Sequence, residues 1–156
     1  MHSTFPLLSF LLLSVFFHQL QAESSTPKDE LVVKILKKGR NCEEKKAEPG
    51  DHLKLHYVGR VDNEDGKIFD SSKERGHLYK FQLGAHEVIQ GYEEGIPGMC
   101  EGEIRTLRIP PSMAYGGYGV PSVGIPPNSY LHFTVELKKI VKGELKPEHH
   151  RPSDEL

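Results

Sequence analysis

The residues that could do chemistry in this 156-residue chain are aromatic far more than nucleophilic. The segment Pro110–Pro127 is rich in Gly, Pro and Tyr and carries Tyr115, Tyr118, Val120, Val123 and Ile125. A loop of that length in a compact domain is functional or disordered, and this one is too apolar for a disordered linker. Further rings stand at Tyr57, Phe69, Tyr79, Phe81 and Phe133, with Val88, Ile89 and Tyr92 in a segment of their own. Two readings are open at this level: an ordinary core, or an aromatic-walled pocket between sheet, helix and loop.

Other chemistries fit less well. His52-Leu53-Lys54-Leu55-His56 lacks the Glu of a metalloprotease helix. With His149-His150 in the tail, these residues read as solvated histidines, and no metal is assigned. Ser71-Ser72 has no Gly-x-Ser-x-Gly elbow and reads as a turn pair. The acidic run Asp62–Gly66 has neither calcium-loop spacing nor a distant Glu, so it is a hairpin turn set by Asp65-Gly66. Arg105 falls on an inward parity with Leu107 and Ile109, with its stem expected on the sheet and its head at the edge.

The elements that must position these residues follow from periodicity. Leu31–Lys38, His52–Val61, Lys67–Ser72, Leu78–Leu83, Glu103–Ile109 and Tyr130–Ile140 read as extended segments. In two of them the alternation is clean. Leu53, Leu55 and Tyr57 oppose His52, Lys54 and His56, while Leu131, Phe133, Val135 and Leu137 oppose His132, Thr134 and Glu136. Val88–Glu94 alone has helical character, bounded by Gly95 and Pro97. The 15 Gly and 11 Pro punctuate these short runs. The expected fold is α+β: an antiparallel sheet of about five strands, each burying one face against one short helix.

The ends predict a compartment. Residues 1–22 carry no Lys, Arg, Asp or Glu, and Leu7–Leu20 is mostly apolar, which reads as a signal peptide cut after Ala22 rather than an anchor. The last residues, Ser153-Asp154-Glu155-Leu156, are a variant of the endoplasmic reticulum retrieval signal and imply a retrieval receptor as a partner. The expected organisation is therefore signal peptide 1–22, disordered segment 23–30, one domain 31–141 and a polar tail 142–156. A net charge of −2 without a basic block argues against nucleic acid, and the absence of a second long apolar run argues against membrane insertion. A monomer is the default. In an oxidising lumen Cys42 and Cys100 are expected to form a structural disulfide, with a redox pair as the alternative; they lack C-x-x-C spacing.

The stretches His56-Tyr57-Val58-Gly59, Gly66-Lys67-Ile68-Phe69-Asp70-Ser71-Ser72 and Glu87–Gly95, with others in the same order, resemble the FKBP family of peptidyl-prolyl cis-trans isomerases. His56-Tyr57-Val58-Gly59, Gly66–Ser72 and Leu83-Gly84 match its first half, and Glu87–Gly95 matches its helix. Ala114-Tyr115-Gly116, Ile125–Ser129 and Leu131–Leu137 match the remainder, in family order from about Val32 to Ile140. The resemblance implies a half-barrel sheet wrapped on a short helix, with a proline-binding pocket between them. By matching position it assigns Tyr57, Phe69, Asp70, Tyr115 and Phe133 to catalysis. Arg75, Tyr79, Phe81, Val88, Ile89, Tyr92 and Ile125 are assigned to substrate binding, Arg75 as the partner of Asp70 and Tyr57. Secretory members resemble this chain in having one Cys near the first strand and another in a segment like Gly98–Glu103, which supports Cys42–Cys100. Two departures bear on the pocket: the chain has no Trp and offers Tyr92 as the floor, and the loop tip Val120–Ile125 is one residue longer than the familiar form.

The resemblance implies isomerisation of X-Pro bonds in nascent or unfolded secretory polypeptides in the endoplasmic reticulum lumen, with no cofactor. It further implies binding of macrolide immunosuppressants of the tacrolimus and rapamycin type. Two rival expectations are a low-turnover proline-binding or co-chaperone module in the same lumen and a purely structural lumenal protein.

Overall fold

A computed structural model describes residues 29–143. The expected signal peptide, most of the segment 23–30 and the retrieval-like tail fall outside the described residues. Six strands and one helix follow in the order β1 (Val32–Lys37), β2 (His52–Val61), β3 (Ile68–Ser71), β4 (Tyr79–Gln82), α1 (Gln90–Gly95), β5 (Ile104–Ile109) and β6 (Leu131–Val141). All pairings are antiparallel, in the order β1-β5-β6-β2-β3, with β4 also pairing with β2. The six strands occupy five columns, because β3 and β4 share one edge of β2. β4 takes His52–Leu55 and β3 takes Val58–Arg60.

The two clean alternations hold. Leu53, Leu55, Leu131, Val135 and Leu137 are fully buried, and Tyr57 and Phe133 nearly so. Parity then breaks at Lys138. Lys54 pairs with Lys139 but Leu55 pairs with Leu137, so Lys138 is the extra residue of a β-bulge. The slip returns Ile140 to the core and leaves both lysines outside.

The first strand departs from the expectation that every strand buries a face. β1 is an edge strand paired only with β5, and it is exposed along its whole length, including Val32, Val33, Ile35 and Leu36. A bulge between Ile35 and Lys37 interrupts its register, and Lys34 and Lys37 interrupt its apolar run. Bulges and lysines of this kind discourage further strands from adding to an edge.

The helix begins two residues later than periodicity suggested. Ile89 stays extended, with ψ 151°, and Gln90 opens the helix. Val88 and Ile89 are β-branched, so leaving them outside the helix avoids crowding χ1 against a preceding turn. At the other end Pro97 has no N–H to continue the ladder. α1 lies close on β5 because Gly91 faces Ile109; a Cβ at Gly91 would collide with that side chain.

The expected disulfide is present: Cys42, after β1, is joined to Cys100, before β5, across 58 residues of sequence. Backbone bonds reinforce the junction, from the amide of Ala47 to the carbonyl of Met99 at 2.8 Å and from Gly98 to Ala47 at 2.8 Å.

Candidate functional site

The site starts from β2. Its inward positions run Leu53, Leu55, Tyr57, Gly59 and Val61. Gly59 is required by close approach: a Cβ there would lie 2.6 Å from Cζ of Phe69 and 2.7 Å from Cε1 of Phe133. Without a side chain at 59, those two rings meet edge to face with centroids 5.5 Å apart.

Phe133 in turn packs on Tyr92 at 4.9 Å and on Tyr57 at 5.9 Å. Tyr57 also meets Tyr79 edge-on at 5.5 Å, and Tyr79 lies against Phe81 at 5.7 Å. These rings, with the loop, enclose a cavity of about 340 Å³ lined by Tyr57, Tyr79, His86, Glu87, Val88, Ile89, Tyr92, Tyr115 and Phe133. Of the two readings open from the sequence, the rings form both: a core on one side and a pocket wall on the other.

Seven of the twelve assigned site residues line this cavity, and five do not. Phe69 backs Phe133, and Phe81, 4% exposed, backs Tyr79 and Tyr92. Ile125, 2% exposed, is an anchor of the loop rather than a surface of the pocket. It exchanges backbone bonds with Val120 at 2.8 and 3.1 Å, closing the tip Pro121–Gly124 into a small hairpin. Val120, partly buried, packs against the core. Tyr118 stands 91% exposed, away from the cavity.

Asp70 and Arg75, the other two, act beside the wall. Tyr57 Oη donates to Asp70 Oδ2, and Arg75 Nη1 donates to Asp70 Oδ1. Arg75 Nη2 also donates to Tyr57 Oη at 2.8 Å, so the three side chains close a triangle, as the resemblance implied. Burial pushes the Tyr57 phenol up to about 12, against the lowering effect of Arg75; the Asp70 carboxylate raises it further. Burial also raises Tyr79 and Tyr115, and it raises Tyr92 well above the ordinary phenol value of 10.0. At neutral pH the cavity is therefore lined by uncharged phenols.

A pH prediction follows for Tyr57. Its folded pKa is raised from 10.0 to about 12, so the folded chain holds a proton that the unfolded chain releases first. That contribution is complete below pH 10.0 and is lost as pH rises towards about 12. Urea midpoints measured across this window should fall with pH, and Tyr57→Phe should make the fall shallower. Parallel curves for the two proteins would rule the account out.

Three positioning features were missed in the sequence. Ser72, fully buried, accepts a 2.8 Å bond at Oγ from the amide of Tyr57, and its own amide donates to the carbonyl of Tyr57 at 3.1 Å. His56 Nδ1 lies 3.1 Å from the same Oγ, so the serine pair clasps β2 at the site and His56 helps hold it. The second feature is the rim. His86, with φ +55°, and Glu87 line the cavity mouth, and Glu87 is held by the amide of Gln82 at 2.9 Å.

The third corrects the expectation for Arg105. Its head is not at the sheet edge: Nε pairs with Glu103 at 2.5 Å, while Nη1 donates to the carbonyls of Gly95 at 2.9 Å and Pro97 at 3.0 Å. It thus satisfies the Gly95 carbonyl that α1 leaves unpaired at its C-terminus and the Pro97 carbonyl just beyond it. Inward parity was legible for Arg105, but its carbonyl partners were not, since they belong to a segment eight to ten residues away.

Among the described residues, one cluster of three potential metal ligands occurs, Cys42, Cys100 and Glu103, and its two sulfurs are joined to each other.

This arrangement is an aromatic binding cavity on a half-barrel sheet, with one carboxylate held beside it by Arg and Tyr. Residues 43–138 match the family of FKBP-type peptidyl-prolyl cis-trans isomerases. The FK506-binding protein 2 of Candida glabrata is 53% identical over 98 residues, covering 63% of this chain and 71% of that protein. The peptidyl-prolyl cis-trans isomerase FPR2 of Saccharomyces cerevisiae is 53% identical over 92 residues, covering 59% and 67%. The crystal structure of AtFKBP13 superposes with a TM-score of 0.62 at 40% identity, covering 71% of this chain and 93% of that one. The chain belongs to the FKBP-type peptidyl-prolyl cis-trans isomerase family, an isomerase family that binds proline-containing substrates and FK506-type ligands.

Proposed function

We propose that this chain accelerates rotation about X-Pro bonds during folding of secretory polypeptides in the endoplasmic reticulum lumen, and that tacrolimus and rapamycin compete for the same cavity. The observation that carries the reading is the 340 Å³ cavity walled by Tyr57, Phe133 and Tyr115 and floored by Tyr92.

Amide resonance sets a rotational barrier of about 20 kcal/mol. Rotation breaks no covalent bond, so the site needs no nucleophile. A dry cavity that grips the proline ring, excludes water from the carbonyl and fits the twisted amide better than either planar form lowers the barrier. In this reading Tyr92 and Ile89 receive the ring, and Tyr57 and Phe133 flank it. Tyr79 and Val88 complete the lining, while Phe69, Phe81 and Ile125 hold the walls from behind. The Tyr115 hydroxyl and the Ile89 amide donate to substrate carbonyls. Asp70 orients Tyr57 and sets the field of the wall, held by Arg75; it moves no proton.

The lumenal part of this reading is supported by the apolar N-terminal segment, the retrieval-like Ser-Asp-Glu-Leu terminus and the disulfide. A protease-coupled assay on an X-Leu-Pro-Phe peptide, with and without rapamycin, tests the activity and the drug site together. Drug-sensitive turnover is expected, and Phe69→Ala or Asp70→Val should each lower kcat/KM about tenfold, the scale of one lost charged bond or wall contact. Drug binding without turnover would instead make the chain a proline-binding module. Unchanged rates in both variants would remove Phe69 and Asp70 from the mechanism.

A further inference from the structure

We propose that the cavity favours prolines flanked by a lysine or arginine, and that Glu87 at its mouth is the specificity-determining residue. The inference rests on the proline-binding reading above and names the substrate class within it.

Glu87 is the only carboxylate among the residues that line the cavity, and it is exposed, so a ligand at the mouth can reach it. Its Oε2 accepts from the amide of Gln82 at 2.9 Å, which pins the side chain to the end of β4, the strand that carries Tyr79. No Lys or Arg pairs with it among the described residues. The other carboxylate beside the wall, Asp70, is already paired with Arg75. The phenols of the lining are uncharged, so Glu87 gives the mouth an uncompensated negative charge. Its charge reaches the wall: after burial, it is the next cause that raises the Tyr79 phenol.

A bound chain must pass this charge. A prolyl ring is joined to its backbone at both N and Cα, so seating the ring brings the residues on either side of it to the mouth. His86 and Val88, which line the cavity, also line a neighbouring groove of about 350 Å³ with Gln90, Glu93 and Glu94. The chain therefore has a bed to run into beyond the rim, and that bed carries the same sign of charge. Glu93 accepts from the amide of Gly84 at 2.6 Å and Glu94 from the Gln90 side chain at 2.8 Å, and neither has a cationic partner among the described residues. A lysine or arginine next to the proline supplies the missing charge, and its aliphatic stem can lie along Val88. An acidic neighbour is repelled, so the same groups select by attraction and by rejection.

The test uses single-proline peptides with lysine, norleucine or glutamate placed immediately before the proline or immediately after it. Norleucine keeps the stem of lysine without its charge. Dissociation constants are read from chemical-shift titrations of the full-length protein at low salt. At one position at least, lysine should bind about threefold tighter than norleucine, the scale of an exposed ion pair, and glutamate should bind weaker than norleucine. Glu87→Gln keeps an acceptor for the Gln82 amide and should bring lysine and norleucine close to equality. Glu64→Gln, which removes the same charge from the β2–β3 hairpin, should leave the lysine preference in place. Lysine binding no tighter than norleucine at both positions overturns the proposal, as does a preference that survives Glu87→Gln or that Glu64→Gln abolishes equally. If Glu87→Gln does not fold, the wild-type preference should vanish in about 0.5 M salt, and its persistence there overturns the proposal. Norleucine peptides that bind with no lysine preference would sink this inference alone. If no peptide of the set binds, the proline-binding reading itself fails.

Discussion

Arg105→Met should lower folding stability by about 3–5 kcal/mol, measured as a shift of the urea midpoint at constant slope. The side chains of Arg105 and Glu103 are only 11% and 5% exposed, so the pair has little solvent to fall back on. Removing the guanidinium leaves the Glu103 carboxylate buried, with the Cys100 amide at 3.0 Å as its remaining partner. It also strips the carbonyls of Gly95 and Pro97 of their donor. The cost comes from the orphaned groups and not from the worth of the pair, so the double variant Glu103→Leu/Arg105→Met should recover a substantial part of the loss. A single variant within about 1 kcal/mol of wild type would show that water replaces the guanidinium freely. Because Arg105 caps the helix that carries Tyr92, the single variant should also weaken binding at the cavity.

Cys42→Ala/Cys100→Ala should cost about 4 kcal/mol in the same measurement, the chain-entropy effect of releasing a loop of this size. The bridge spans 58 residues and encloses β2, β3, β4 and α1, and with the loops between them seven of the nine residues that line the cavity. Severing it frees that whole stretch in the unfolded state while removing little surface contact from the folded one. Ala47, Met99 and Gly98 still exchange backbone bonds across the junction, so the folded fraction should retain its ligand affinity. A loss below about 1 kcal/mol would mean that the unfolded chain is already compact across this region.

The elements and their inward faces were legible because period-two alternation translates directly into burial on a sheet with one covered face. It placed β2 and β6 with the right parity, and even Arg105 on the inner face. It failed where burial is decided by neighbours. Val32, Val33, Ile35 and Leu36 are as apolar as a core strand but lie on an uncovered edge, and only the strand order reveals that. The shift of the helix start from Val88 to Gln90 has a local cause, β-branching, that periodicity does not weigh.

The candidate site divides in the same way. Residue types and family-like motifs were enough to assemble Tyr57, Asp70 and Arg75 and to nominate the rings, because those residues recur at matching positions along the chain. They could not say which rings line the cavity and which stand behind it. Phe69 and Phe133 both abut Gly59, yet Phe133 lines the cavity and Phe69 does not, and Ile125 is turned inward by its bridge to Val120. Ser72 and His56 looked like a turn pair and a surface histidine until β3 was set beside β2. The aromatic chemistry of the pocket was thus determined by the sequence alone. Its shape and its rim at His86 and Glu87 were decided only by the tertiary structure. Which atoms face a cavity depends on contacts between residues far apart in the chain, and no local pattern encodes that.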